Sequence, residues 1–244
     1  MSAFEDYFAA VQQQLEAICA TQRDRIQTAA GWVATALRQQ RFLHAFGTGH
    51  SHLLAEEIFY RAGGLARAAP ILDEPLMLHA GAAAGTEWER REGYAAEILA
   101  RYPLANGDVL IVASNSGRNA VPIELALAAR TRGAKVIAVV NARHSAAFPS
   151  RHSSGKKLAD VADLVIDNGG VIGDACLTLP GVPQAVGPTS TITGAFIVNA
   201  IIVEAIALAA EQGRPPEIYA SANSDAAAHN EELLAKYRPL IRHL

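Results

Sequence analysis

Cysteine is nearly absent: Cys19 and Cys176 are the only two in 244 residues, and they lie far apart. They make neither a disulfide framework nor a cysteine-based zinc site, and such usage fits a reduced, cytoplasmic compartment. Basic excess is missing as well. The 21 Lys and Arg stand against 24 Asp and Glu, a net charge of −3, and no basic stripe is interleaved with aromatics. That argues against nucleic acid as a partner. The N-terminus lacks a basic region followed by an apolar run, so no targeting segment is expected. The most apolar stretch, 195–210, is interrupted by Asn199 and Glu204 and is short for a bilayer. It reads as a buried core helix, and no membrane association is expected. The Gly-x-Ser-x-Gly elbow, the P-loop, the kinase signature and the H-E-x-x-H zinc pattern are also missing.

What is present is a core: 50% of the residues are hydrophobic, enough for a large α/β domain. Residues 3–40 show helical spacing of Phe4, Phe8, Val11, Leu15 and Ile18 and break near 20–24, predicting two helices. Strands are predicted at 42–46, 66–72, 109–113, 136–140 and 164–166. Pro70 marks the second as an edge strand or a strand end. Helices are predicted from Ser51 to Gly63–Gly64, over 87–101, from Pro122 to Gly133, through 195–210 and over 226–240. A hairpin is expected at 175–186 around Pro180-Gly181. The stretch 141–158 reads as a long polar loop. Alternating strands and helices imply a three-layer α/β/α sandwich around a parallel, doubly wound sheet, with helical N- and C-terminal extensions. The expected organisation is a helical arm over 1–40, the α/β domain over 41–213, and a tail at 214–244 whose helix packs on the domain or on a partner subunit.

Two apolar strands run into short polar loops that open helices. The first loop is Gly47-Thr48-Gly49-His50-Ser51 and the second is Ser114-Asn115-Ser116-Gly117-Arg118-Asn119. A helix N-terminus leaves backbone N–H groups unpaired and carries partial positive charge, and short hydroxyl and amide side chains add donors there. Two such loops in one α/β domain point to a phosphorylated small molecule. The first loop fails as a dinucleotide fingerprint, because His52 occupies the position of the third glycine. No nucleotide cofactor is expected. His50-x-His52 with Glu56 offers possible metal ligands, but without a recognised zinc pattern no metal is assigned.

These two loops, with Gly187-Pro188-Thr189-Ser190-Thr191, resemble the sugar isomerase (SIS) domain family. That family includes phosphoheptose isomerase, arabinose-5-phosphate isomerase, 6-phospho-3-hexuloisomerase and N-acetylmuramic acid 6-phosphate etherase. More narrowly, several segments resemble a bacterial subfamily of SIS-domain proteins: Gly49-His50-Ser51-His52 with Glu56-Glu57, the run 150–157, Gly173-Asp174-Ala175 and His229-Asn230. The resemblance implies phosphosugar contacts from Thr48, Gly49, His50, Ser51, Ser114, Asn115, Ser116 and Asn119. It further implies aldose–ketose isomerisation by acid/base chemistry without a cofactor, and the apolar arm and C-terminal tail suggest a homodimer or homotetramer. Etherase-type elimination and a non-catalytic phosphosugar sensor are the alternatives. Many relatives carry Thr at the position of Asn119. Some carry a catalytic Glu where Thr193 and Gly194 stand, so acid and base must come from elsewhere in this chain.

Enolisation needs a base beside a carbonyl and an acid to shuttle protons between oxygens, roles that Glu and His fill. Glu56, with no oppositely charged residue one turn on, is the expected base; Glu57 has Arg61 at helical spacing and reads as an ion pair. His229 is the expected ring-opening or proton-shuttling group. Asp73-Glu74, at a strand end, and Arg151 with Lys156-Lys157, as a lid, are secondary candidates.

Overall fold

In a computed structural model, which describes residues 2–223 and 227–244, the chain opens with helices α1 (Ala3–Thr21) and α2 (Arg23–Arg38). Ser2 and Glu5 form a capping box at the start of α1. Then follow β1 (Leu43–Gly47), a 3-10 turn (Gly49–His52), the short α3 (Leu53–Glu57), β2 (Ala68–Ile71), α4 (Leu78–Trp88) and α5 (Tyr94–Arg101). Next come β3 (Val109–Ala113), α6 (Ala120–Thr131), β4 (Lys135–Val140), α7 (Ala142–Ala147), α8 (Leu158–Val161) and β5 (Leu164–Asp167). The hairpin β6 (Ala175–Leu177) and β7 (Val186–Pro188) leads to α9 (Ser190–Glu211), and α10 (Ala227–Tyr237) ends the fold.

The five main strands form one parallel sheet in the order β2-β1-β3-β4-β5. β1 and β3 are buried along their whole length and β4 from its second residue on, as their unbroken apolar sequences require when helices cover both faces. Pro70 lies in β2 at the edge of the sheet, where its missing N–H costs no ladder bond. One face packs against α2 and α9 through Ala30, Val33, Ile197, Val198 and Ile201; the other packs against α5 and α6 through Ile98, Leu99, Ile123 and Leu125. The sandwich is thus three-layered, and the strand order reverses between β1 and β3. In such sheets ligands bind outside the carboxyl ends of the strands at that reversal.

Several expected boundaries move. The helix expected from Ser51 to Gly63–Gly64 ends at Glu57, and Ser51 lies inside a 3-10 turn rather than capping a helix. The turn folds back hard on the strand: a Cβ on Gly47 would sit 2.2 Å from the Ser51 carbonyl oxygen. The helix expected over 87–101 is two helices, separated at Gly93, whose φ of +84° favours glycine and whose N–H donates to Glu124. The loop expected over 141–158 contains α7, capped by the Asn141 side chain. α9 begins at Ser190, five residues early. By length and mean hydropathy (2.1) it would suffice to cross a bilayer, yet Ile197, Val198, Ile201, Ile202 and Ala205 are buried in the core. The tail helix is described from Ala227; its expected first residue, Ala226, lies outside the described residues.

Candidate functional site

The loops after β1 and β3 come together because those strands are neighbours in register, Gly47 opposite Ala113. Between the loops and the start of α9 lies a narrow polar cleft. His50, Ser51, Ser114, Asn115, Asn168, Ser190 and Thr191 line it, with Leu54, Ala113 and Val139 as its apolar floor. The second loop is stiffly held. Gly117 N–H donates to Ser114 Oγ at 3.1 Å, and Gly117 itself has φ of +59°. Asn168 Nδ2 donates to Asn115 Oδ1 at 2.9 Å, and Asn141 N–H donates to the Asn115 carbonyl at 3.1 Å. Asp174 accepts from Thr189 N–H, Ser190 N–H and Ser190 Oγ at 2.7–3.1 Å, which fixes the first turn of α9 at the cleft.

Beside the cleft, past Gly49 and His50, opens a cavity of about 170 Å³. Its walls are Leu76, Met77, Leu78 and Ala82, and Glu89 stands at its edge. Glu89, the residue that caps the C-terminus of α4, ties the two loops together. Thr48 Oγ1 donates to one carboxylate oxygen and Asn119 Nδ2 to the other. Its backbone carbonyl also accepts from Val121 N–H at 3.1 Å, in the first turn of α6. Burial lifts the Glu89 carboxyl above its ordinary value, against the lowering influence of the Thr48 hydroxyl and of Arg90 and Arg151.

The structure therefore gathers Thr48, Gly49, His50, Ser51, Ser114, Asn115, Ser116 and Asn119 at one end of the sheet, with Thr48 and Asn119 engaged by Glu89. Glu56 is exposed and faces His52, whose Nε2 lies 3.5 Å from its carboxylate. The other nitrogen of His52 contacts the Gly49 carbonyl. Among the described residues, the one set of three ligand-type groups within 4.8 Å of one another is Glu92, Glu124 and His152; His50, His52 and Glu56 do not form such a set. His229 is not brought to the loops within this chain. Its Nε2 lies 2.9 Å from the Ile218 carbonyl, in a segment bridged to Leu65 beside the edge strand.

The other carboxylates have evident tasks. Glu57 pairs with Arg61 and also accepts from Asn199 Nδ2 at 2.6 Å, anchoring α3 to α9. Asp73 is buried, accepts from Tyr94 Oη at 2.6 Å and pairs with Arg101, which locks α5 to the end of β2. The positions where the resemblance implies a Glu in some relatives are closely packed here. Thr193 is fully buried with its hydroxyl directed to the Thr189 carbonyl, and a Cβ on Gly194 would meet Leu54 at 2.5 Å. Sequence reasoning missed Glu89, which sits in the charged run Glu87-Trp88-Glu89-Arg90-Arg91-Glu92 that reads as a solvated face.

Comparison with known proteins agrees with this fold. A family model described as SIS domain matches residues 6–141. A UPF0309 protein of Listeria monocytogenes serotype 4b (strain F2365) is 47% identical over 228 residues, spanning 93% of this chain and 92% of its own. A UPF0309 protein of Geobacillus thermodenitrificans is 43% identical over 238 residues, 97% and 96% of the two chains. Among solved structures, phosphoheptose isomerase of Neisseria gonorrhoeae superposes with a TM-score of 0.53 at 19% identity, covering 83% of this chain and 96% of that one. The NanR protein of Vibrio vulnificus, complexed with ManNAc-6P, gives 0.54 at 17% identity, covering 99% and 71%. Motif, fold and sequence similarity converge: the chain belongs to the SIS domain family, alongside the UPF0309 proteins.

Proposed function

We propose that this protein binds a phosphorylated sugar between the loops after β1 and β3 and interconverts its aldose and ketose forms. The phosphate sits among Ser51, Ser114 and Thr191, where hydroxyls and the Asn115 amide converge beside α9. The sugar extends past Gly49 and His50 into the neighbouring cavity, toward Glu89. Family membership supports the ligand class, since structural neighbours include a phosphoheptose isomerase and the NanR protein complexed with ManNAc-6P.

The observation that carries the catalytic reading is Glu89. It is a half-buried carboxylate with a raised pKa, joined by hydrogen bonds to both loops and facing the cavity. A carboxyl tuned upward by burial loses and regains a proton more readily near neutral pH. Glu89 would remove the proton from the carbon beside the carbonyl and return it to the carbonyl carbon, while the proton of the neighbouring hydroxyl passes to the former carbonyl oxygen; the Thr48 hydroxyl and the Asn119 amide fix the orientation of Glu89. Glu56, the base expected from the sequence, is the alternative; its exposure and its pairing with His52 favour Glu89. His229 contacts its own chain's Ile218 and is assigned no step. No cofactor enters this chemistry. The expectation of a homo-oligomer finds support in the exposed Phe4 and Phe8 of α1 and Ile192 and Val203 of α9, apolar side chains that a second copy would cover.

The test is incubation with a panel of sugar phosphates in D2O, followed by NMR. The expected result is deuterium at the carbon beside the carbonyl, together with interconversion of aldose and ketose. Release of a C3 substituent would instead assign elimination. A sugar phosphate that binds but takes up no deuterium would leave the protein a sensor and overturn the isomerase reading.

A further inference from the structure

Aldose–ketose interconversion moves two protons. Glu89 would take the one on carbon; the other leaves one oxygen and joins its neighbour, and a group suited to giving and taking protons must carry it. The walls of the cleft and of the cavity narrow the choice. Hydroxyls, amides and apolar side chains make up almost all of both. Among the lining residues, His50 and Glu89 are the only ionisable side chains, and His50 is the only residue that lines both spaces. A sugar that reaches from the cleft into the cavity must pass its imidazole.

His50 also stands apart from the other seven histidines of the chain. His44 faces Asp108, His52 faces Glu56 and His152 faces Glu124. His79 stands edge-on to the His52 ring, and His144 Nδ1 accepts from Gly173 N–H at 3.1 Å. His229 contacts the Ile218 carbonyl and His243 the Tyr102 hydroxyl. Among the described residues, the His50 imidazole alone of the eight has no hydrogen-bond, ion-pair or ring partner. Its backbone is nonetheless fixed. Ser51 N–H donates to the Thr48 carbonyl at 3.0 Å, and Leu53 N–H donates to the His50 carbonyl. The same turn is tied to Glu89 through the Thr48 hydroxyl. His50 is exposed, unlike Glu89, and that suits a different task. A carboxyl needs burial to hold a proton near neutral pH, whereas imidazole as a chemical class exchanges protons there without it.

We propose that His50 is a second catalytic residue, the carrier of the proton that moves between the two oxygens. This assignment rests on the isomerase reading above and deepens it. Starting from the aldose, Glu89 removes the proton on C2 and the C1–C2 double bond forms, while protonated His50 gives its proton to O1. His50, now neutral, takes the proton of the O2 hydroxyl as the C2–O2 double bond forms, and C1 takes the proton held by Glu89. Both side chains return to their starting charge and no co-reactant is consumed.

The test is H50Q, with turnover and Kd measured across pH on aldopentose, aldohexose and aldoheptose phosphates. With no partner to lose, the His50 side chain can be replaced without disturbing the turn, which an unchanged melting temperature would verify. The expected result is a fall in kcat of at least about 10²-fold, with Kd within about threefold of the wild type. Wild-type kcat should fall toward alkaline pH, as the imidazole loses the proton it must donate, and that fall should be missing from the residual activity of H50Q. An unchanged kcat overturns the proposal, and so does a rise in Kd alone, which would make His50 a binding residue. A lowered kcat that keeps the wild-type alkaline fall also overturns it, since the carrier then lies elsewhere. Sugar phosphates that bind the wild type without interconverting remove the isomerase reading itself, a failure seen in the wild type and so separate from any result in H50Q.

Discussion

E89Q is expected to lower kcat for the cognate sugar phosphate by about 10²–10⁴-fold while Kd changes little. Gln keeps the shape of the side chain and one acceptor oxygen for Thr48 or Asn119, so the loops remain joined. What is lost is the group that takes and returns a proton. E56Q is the control, and it should retain turnover because Glu56 is exposed and paired with His52. A fall in turnover in E56Q but not in E89Q would reverse the assignment. The same substitution carries a stability signature whose sign follows from burial. The native carboxyl holds its proton at pH values where the unfolded chain has lost it, so wild-type stability contributed by this group is lost as pH rises through the elevated pKa. E89Q has no such loss. Its melting temperature should match the wild type below the ordinary carboxyl range and exceed it by an amount that grows as pH rises and levels off above the elevated pKa. A difference that stays flat or turns negative over that range would contradict the raised pKa.

G47A should be the most damaging single change in the loops. The added methyl would lie 2.2 Å from the Ser51 carbonyl oxygen, 2.4 Å from the Ser51 carbonyl carbon and 2.8 Å from the His52 nitrogen. These are backbone atoms, so no side-chain rotation relieves the clash, and the 3-10 turn must move off the end of β1. The expected cost is about 1–3 kcal/mol in denaturant unfolding. Thr48, His50 and Ser51 would be displaced together, so sugar-phosphate affinity should fall with stability. G49A is the comparison: Gly49 has φ of +54° but open space around it. It should cost less, about 1 kcal/mol from the left-handed backbone alone. Equal stability of G47A and wild type would mean that the turn does not close on the strand as described.

These two residues mark what the sequence discloses and what it hides. Gly47 and its loop were legible because the reasons are local: an apolar strand, a glycine, and short polar residues opening a helix. The same holds for Ser114 to Asn119, for the edge position of β2 through Pro70, and for the buried run of β3. Glu89 was not legible, because its role exists only after α4 is laid beside both loops. In sequence it is one acid in a charged run. The expected base, Glu56, lacks a helical ion-pair partner ahead of it, yet the structure supplies His52 one turn behind. The expected helix from Ser51 to Gly63–Gly64 failed for a related reason. Apolar spacing continues through Ile58, but the helix ends at Glu57 and Tyr60 turns the chain with a φ of +40°.

The central claim is that the crevice between β1 and β3 holds a sugar through its phosphate. It is tested most directly by thermal shift in phosphate-free buffer, with sugar phosphates set against the same sugars without phosphate. A ligand that binds only the native state raises the melting temperature by about RT ln(1 + [L]/Kd) in free energy. The account predicts a rise confined to phosphorylated sugars and abolished in S114A/S116A. No rise with any sugar phosphate, or an equal rise with the unphosphorylated sugars, would contradict it.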